Sequence, residues 1–255
     1  MKKFTVLGFA LVLLVPVLVH ADTFSLRIGY YLPQASTNPD SLWKTEFDQM
    51  TFKKENFNYT IYGGSYEFFV TKQISLSLSI DTYSRDVSGS YLDYEGITTT
   101  DNLDYAFNIA DITGDFSIRH VFRVSITPLQ FDVRITPLGR RSAVIPYVGG
   151  GVGVYFWRVA IQGELVDFSQ PTDFVDNLGN PLTGYPIQVT DTRESGTSFG
   201  EHAFAGIRVP IGYRLTIEAE ARYHWAKATL TKAFQGFAPF ELGGLGLSLG
   251  FNYWF

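Results

Sequence analysis

The residues best equipped for chemistry cluster near the end of the chain. Glu218, Glu220, Arg222 and His224 recur at every second position. In an extended strand such residues share a face, with the two carboxylates about 7 Å apart. A carboxylate pair at that spacing can divide acid and base roles. Arg214 and Arg222 flank the pair on the same parity, and ion pairing is the simpler account of the four groups. Beyond the first twenty residues the only other histidines are His120 and His202. His202 shares parity with Phe204 and Arg208 and has no serine or carboxylate at a useful spacing. His120 lies near a loop. The chain has no cysteine, so thiol nucleophiles and disulfides are excluded. Three scattered imidazoles make no recognisable metal site, and no cofactor is expected.

The elements that must position these groups read in period two, the signature of strands. Leu245, Leu247, Leu249, Phe251, Tyr253 and Phe255 alternate with Gly244, Gly246, Ser248, Gly250, Asn252 and Trp254. Leu215 to Trp225 alternates with Arg214 to His224 in the same way. Eight such runs are expected, near 23–32, 57–70, 73–83, 120–136, 145–158, 199–209, 213–226 and 240–255. In the fourth, Val124 and Ile126 are even-numbered whereas Phe131, Val133 and Ile135 are odd. With Pro128 between them, a β-bulge is the expected cause. Three connections are short and four are long, roughly 33–56, 84–119, 159–198 and 227–239. Short turns therefore lie at one end of the sheet and long loops at the other, the plan of an up-and-down barrel.

Composition sets the surroundings. The chain has 255 residues, 20 basic and 25 acidic, and a net charge of -5. That balance disfavours a nucleic-acid binder, which needs a basic excess. Aromatics make up 16% and charged residues only 18%, against about 25% charged for a soluble domain. Lys2 and Lys3, the apolar run from Phe4 to Val19 and the small-residue site Val19-His20-Ala21 have the layout of a secretory signal peptide over residues 1–21. The run contains Pro16 and falls short of the roughly 20 residues of a spanning helix. Its removal leaves 18 basic against 25 acidic residues over 22–255. The mature chain is then secreted, or it enters a membrane by strands.

Alternation alone does not say which face is buried, since a soluble ligand-carrying barrel encloses its apolar face. Four features favour an apolar exterior. The lysines, at 2, 3, 44, 53, 54, 72, 227 and 232, all fall outside the expected strands. The polar face is rich in small residues, such as Gly149, Gly151 and Gly153. Aromatics gather near strand ends (Tyr30, Tyr66, Phe68, Phe156, Trp157, Tyr223, Trp225 and Tyr253), as at a membrane interface. The chain closes on Phe251, Tyr253 and Phe255 at alternate positions. The ending Leu247-Ser248-Leu249-Gly250-Phe251-Asn252-Tyr253-Trp254-Phe255 resembles the C-terminal assembly signal of bacterial outer-membrane proteins. The segment Pro146-Tyr147-Val148-Gly149-Gly150-Gly151-Val152-Gly153-Val154-Tyr155-Phe156 resembles a glycine-rich strand of small OmpA/OmpX-like and OmpW-like barrels. The resemblance covers the strands, about half the mature chain, and leaves the long loops unmatched.

The resemblance implies an all-β fold: a monomeric, eight-stranded antiparallel transmembrane barrel with short periplasmic turns and long external loops. It also implies periplasmic chaperones and the barrel-assembly machinery as partners, with lipopolysaccharide around the finished barrel. The lumen of eight strands is just wide enough for side chains to fill. By parity it receives Arg27, Arg134, Arg208, Arg214 and Arg222, together with Glu67, Asp81, Asp132, Glu218 and Glu220, and His224 beside them. Equal numbers predict internal ion pairs, because an unpaired charge in a narrow lumen is costly. Small outer-membrane barrels include lipid A deacylases. The segment Arg222-Tyr223-His224-Trp225-Ala226 resembles their strand histidine, but Ala226 stands where their serine would be.

The first loop sets Trp43, Phe47, Met50, Phe52 and Phe57 among Lys44, Lys53 and Lys54, for contact with an anionic leaflet or for local packing. The second is acidic, with Asp86, Asp93, Glu95, Asp101, Asp104 and Asp111, but lacks a calcium-loop motif. The third carries turn signals at Pro171, Gly179-Asn180-Pro181 and Gly184, for an extra hairpin. The function expected is non-enzymatic: a cell outer-membrane barrel anchoring surface loops for envelope integrity or surface contact. The alternatives are a narrow channel for small apolar molecules, lined by Tyr155 and Trp157, and a lipid-modifying enzyme.

Overall fold

A computed structural model describes residues 23–140, 142–176 and 178–255; the expected leader over 1–21 lies outside them. Twelve strands are described, β1 (Thr23–Pro33), β2 (Tyr59–Phe69), β3 (Ile74–Ser90), β4 (Tyr94–Thr98), β5 (Asp104–Asn108), β6 (Arg119–Ile135), β7 (Ile145–Val166), β8 (Thr172–Val175), β9 (Pro181–Pro210), β10 (Leu215–Ala228), β11 (Phe240–Glu241) and β12 (Gly244–Trp254). Helix α1 (Leu42–Gln49) and a short 3-10 turn (Lys54–Phe57) fall between β1 and β2.

Eight strands pair in an antiparallel ring. It runs β1–β2–β3–β6–β7–β9–β10–β12 and closes where β12 pairs with β1. Closure leaves no free edge in the ring. This is the eight-stranded barrel expected from the sequence. Three strands, β1, β2 and β12, have 11 residues each, the length of a tilted membrane crossing. By contrast β7 has 22 residues and β9 has 30. Their ladder runs unbroken from Ile145↔Arg208 to Val166↔Ile187, so it projects as a ribbon from the long-loop end. The β4–β5 hairpin and β8 pair onto the far end of this ribbon, near Gly184 and Tyr185. The hairpin expected in the third loop is thus present.

The outer face is apolar. Leu26, Leu78, Leu249 and Phe251 are all more than half exposed, with Ile28, Phe131, Val152 and Ile207 around the same belt. Three sequence expectations need correction. There is no bulge at Pro128: Ile80↔Leu129 and Tyr83↔Ile126 keep one register offset, and the β6–β7 ladder is continuous. Pro128 merely lacks the N–H for a ladder bond with β3. Even-numbered residues face inward along all of β6, so Val124 and Ile126 are apolar because the lumen itself becomes apolar there. Trp157 also faces inward and is buried, so it does not belong to an exterior aromatic girdle. Lys227 falls within the last residues of β10, paired to Glu241 at 2.9 Å.

Candidate functional site: a two-storey lumen

The lower storey, toward the short turns, is ionic. Four of the five expected arginines are buried inside it, Arg27, Arg134, Arg208 and Arg222, with all five expected carboxylates. Arg27 forks onto Asp81 through Nε and Nη2, both at 2.7 Å. Arg134 donates through Nη1 to Glu67 at 3.0 Å and Glu218 at 3.5 Å, and through Nη2 to Glu220 at 3.2 Å. Its guanidinium lies 4.2 Å over the Tyr147 ring. Arg208 reaches Glu67 at 2.7 Å and also donates to Glu218. Arg222 donates to Glu220 at 2.9 Å, Gln130 at 2.9 Å and Asp132 at 3.3 Å. Each of these arginines reaches at least one carboxylate on another strand, so the network staples the ring across its diameter.

Arg214 is the exception. It shares the parity of Thr216 and Glu218, but it precedes the first residue of β10 and is exposed in the turn. Its Nη1 donates to the hydroxyl of Tyr253 at 3.2 Å, on the outer face. The network is therefore four arginines against five carboxylates. His202, which sequence parity left without an acidic neighbour, supplies another contact: its Nε2 is 2.5 Å from Asp132 Oδ1. These two residues sit on β9 and β6, on either side of Gly151 of β7. The bare glycine lets them meet. Gly149 does the same in the next row down, where a Cβ would stand 2.3 Å from Phe204 Cζ. His224 sits above the charges, its Nδ1 3.1 Å from the Tyr155 hydroxyl and 3.3 Å from Gln130 Nε2. Among the described residues no serine hydroxyl is bonded to His224, and it is 2% exposed. Gln130, Tyr147, Ser77 and Ser79 complete the network; their inward parity was the only signal for them.

The upper storey is a plug made by the first loop. Ser41 caps α1, its hydroxyl accepting from the Lys44 N–H at 3.1 Å, which starts the helix. The helix lays Trp43 into the mouth of the barrel. Trp43 stacks on Phe240 at 5.0 Å and meets Phe57 and Phe122 edge-on at 4.9 and 5.4 Å. Met50, Phe52, Val124 and Ile126 fill the remaining space. The aromatics of the first loop are thus a buried core, with Lys44, Lys53 and Lys54 left outside it. Within the plug Glu46 and His120 are both buried, Oε2 and Nε2 2.7 Å apart. Tyr91, at the rim, has its hydroxyl pushed up to about 12 by burial.

The loop between β10 and β11 locks the plug from above. The buried Glu194 carboxylate accepts from the backbone N–H groups of Thr231, Lys232 and Phe234 at 2.7, 3.2 and 3.1 Å. That seats Leu230 and Phe234 in the core. Glu194→Ala should leave three donors unsatisfied and cost about 1–3 kcal/mol each at most. Faster amide hydrogen exchange confined to 229–239, with the barrel strands unchanged, is the expected result. In the acidic second loop, Asp86 pairs with Arg123 across β3 and β6, Asp104 accepts from Thr98, and Glu95 accepts from the Gly114 N–H. No group of three or more potential metal ligands occurs among the described residues.

Between the storeys the barrel holds little space. A void of about 20 Å³ lies beside Arg27, Asp81 and His224, and one of about 10 Å³ beside Ile126 and Tyr155. Each is near the volume needed for one water molecule.

No family model matches the chain, and no curated protein matches it. Solved outer-membrane β-barrels are similar in structure. The N-terminal β-barrel domain of Pseudomonas aeruginosa OprF is 11% identical, with 92% of this chain and 97% of that chain covered and a TM-score of 0.42. A major outer membrane protein from Thermus thermophilus is 12% identical, with 92% and 100% covered and a TM-score of 0.48. The E. coli outer membrane protein W is 13% identical, with 93% and 100% covered and a TM-score of 0.34. The class to which this chain is assigned, a closed eight-stranded barrel with an apolar exterior, rests on its own strand pairing and burial.

Proposed function

We propose that the chain is a non-enzymatic integral protein of the bacterial outer membrane, a sealed barrel that holds a folded external platform. The observation that carries this is the inversion of the barrel. Its exterior is a belt of exposed Leu, Ile, Val and Phe, and the half of its interior toward the short turns is ionic. Water would not support that arrangement, whereas acyl chains would. The segment 1–21 is removed on export. Phe251, Tyr253 and Phe255, on the outer face of the closing strand, serve as the signal to the barrel-assembly machinery after chaperoned passage. The barrel works as a monomer among lipopolysaccharide and lipid. Its short turns face the periplasm, and the β7–β9 ribbon with its attached hairpins faces outward for surface contact.

What supports a sealed scaffold over a narrow conduit for small apolar molecules is the occupant of the upper lumen. Tyr155 and Trp157 do line an apolar mouth, but Trp43 and Phe240 already fill it. Charged porin lumens need many more strands to hold an aqueous channel. In planar bilayers the purified protein is expected to insert without conducting at high voltage. Stepwise conductance would overturn the sealed reading, and a mature chain that stays folded in buffer without detergent would overturn the membrane reading.

A further inference from the structure

The lipid-facing wall of the ring carries a single charge. Along β9 the even-numbered residues His202, Phe204 and Arg208 are buried in the lumen, and the odd-numbered ones point out. Glu201 is therefore an outward side chain, and it is exposed. Phe199, on the same strand, lies beyond it toward the long loops and is 86% exposed. The register partners of Glu201 are Val152 of β7 and Trp225 of β10, both more than half exposed. Glu201 thus sits in the apolar belt, just below its upper aromatic edge. Among the described outward positions of the eight ring strands, from that edge down to the short turns, it is the only charged residue. Lys227, two residues beyond Trp225 on β10, is committed to Glu241 at 2.9 Å. The Glu201 carboxylate has no hydrogen-bond or ion-pair partner among the described residues. Its backbone carbonyl accepts from the Tyr155 hydroxyl at 3.5 Å. A lone charge against acyl chains is costly, and more so with depth, so an ionisable group in this place marks a site.

Below Glu201 the wall is hollowed. Ala203 follows it on β9 and pairs with Gly150 of β7, and Ala205 pairs with Ala221 of β10. These small outward residues lead into a groove of about 670 Å³, walled by Ala205, Ile207, Ala219, Ala221, Leu247 and Leu249. The volume falls in the range of about 300–1,000 Å³ typical of small-molecule sites. A groove on this wall faces the membrane, so its occupant is a lipid or another membrane protein. Charge argues against a second copy: a two-fold contact across this face would bring two Glu201 carboxylates together with no cation to compensate them. A headgroup that is only anionic meets the same repulsion. We propose that this face binds a lipid with a primary ammonium in its headgroup, of the phosphatidylethanolamine class. The ammonium pairs with Glu201, and an acyl chain lies over Ala203 and Ala205 into the groove. Trp225 flanks the headgroup, at the level where indoles favour a membrane interface. The proposal rests on the membrane reading above, which places this belt in the bilayer.

The test is fluorescence quenching of the folded mature chain in phosphatidylcholine vesicles. Trp225 is the reporter, and subtracting the signal of the Trp225→Phe variant isolates it from the other indoles. Brominated phosphatidylethanolamine, phosphatidylglycerol and phosphatidylcholine are the probes. The ethanolamine probe is expected to quench at the lowest mole fraction. Its preference should be about threefold, the scale of one exposed ion pair, and should shrink with salt. Glu201→Gln should abolish the preference and leave Trp225 quenched alike by all three probes. Glu201→Asp should keep part of it. Ala205→Leu, which fills the groove without touching the carboxylate, should reduce it. Circular dichroism should be unchanged throughout. Preference for phosphatidylglycerol, or a preference that survives Glu201→Gln, would overturn the proposal. Cross-linked dimers with no lipid preference would overturn it in favour of a second copy in the groove. Equal quenching of the native chain by all three probes refutes this site alone; a belt that no brominated lipid quenches refutes the reading beneath it.

Discussion

Arg134→Met should be the most damaging single substitution in the barrel wall, lowering stability by about 3–5 kcal/mol, the cost of stripping one partner from a buried ion pair. Arg134 serves three carboxylates at once, Glu67, Glu218 and Glu220. Glu220 keeps Arg222 and the Tyr147 hydroxyl when Arg134 is lost. Glu67 and Glu218 are left to share Arg208. Two buried negative charges on one guanidinium is the unfavourable state, and removing one of them should relieve it. The double variant Arg134→Met/Glu67→Gln is therefore expected to recover more than half of the loss. Equilibrium urea unfolding from lipid vesicles measures all three proteins. Arg134→Lys should fall between, since one ammonium cannot fork onto three acceptors. If the double variant were no more stable than the single one, the loss would lie in packing over Tyr147 and Phe204 and the electrostatic account would be wrong.

The lower storey was legible from sequence because strand parity is a local property. Once the polar face points inward, Arg27, Glu67, Asp81, Asp132, Arg134, Arg208, Glu218, Glu220, Arg222 and His224 fall inside by counting alone. Arg214 shows where counting stops: its parity is right, but the chain is still turning at that residue, and a turn has no alternating faces. The contact of His202 with Asp132 needs the register of β7 between them and the absent side chain of Gly151. Neither is written in any single strand. The upper storey was illegible for a related reason. Val124 and Ile126 look like a slipped phase only if the whole lumen is assumed polar. Parity points them inward, and they are apolar because a loop some seventy residues earlier folds back to cover them. Whether Trp43 meets lipid, a partner or its own barrel depends on loop closure, which period-two patterning does not encode. Loop length and aromatic content marked the segment, and only the fold assigned its partner.

The two storeys are separate seals, and Trp43→Ala distinguishes them. Trp43 is 1% exposed and touches Phe57, Phe122 and Phe240. Truncating a buried Trp costs about 3–5 kcal/mol in a well-packed core. Here that loss should fall on the plug, because α1 is tied to the wall by this core, by the Glu46–His120 contact and by the Met50↔Tyr91 backbone bridge, whereas the ring keeps every ladder bond. Trypsin should therefore cut the variant rapidly at Lys44, Lys53 or Lys54, while the strands stay protected and the unfolding midpoint of the barrel changes little. The same variant should remain silent in planar bilayers, since Arg134, Arg222 and their carboxylates still cross the lumen beneath the plug. Conductance should require both changes, appearing when Arg222→Ala is added and the contacts to Asp132, Gln130 and Glu220 are lost. Current through Trp43→Ala alone would mean that the plug is the only seal and that the ionic storey passes ions. Conversely, trypsin resistance in that variant would mean that the first loop is held at the mouth by something other than its aromatic core.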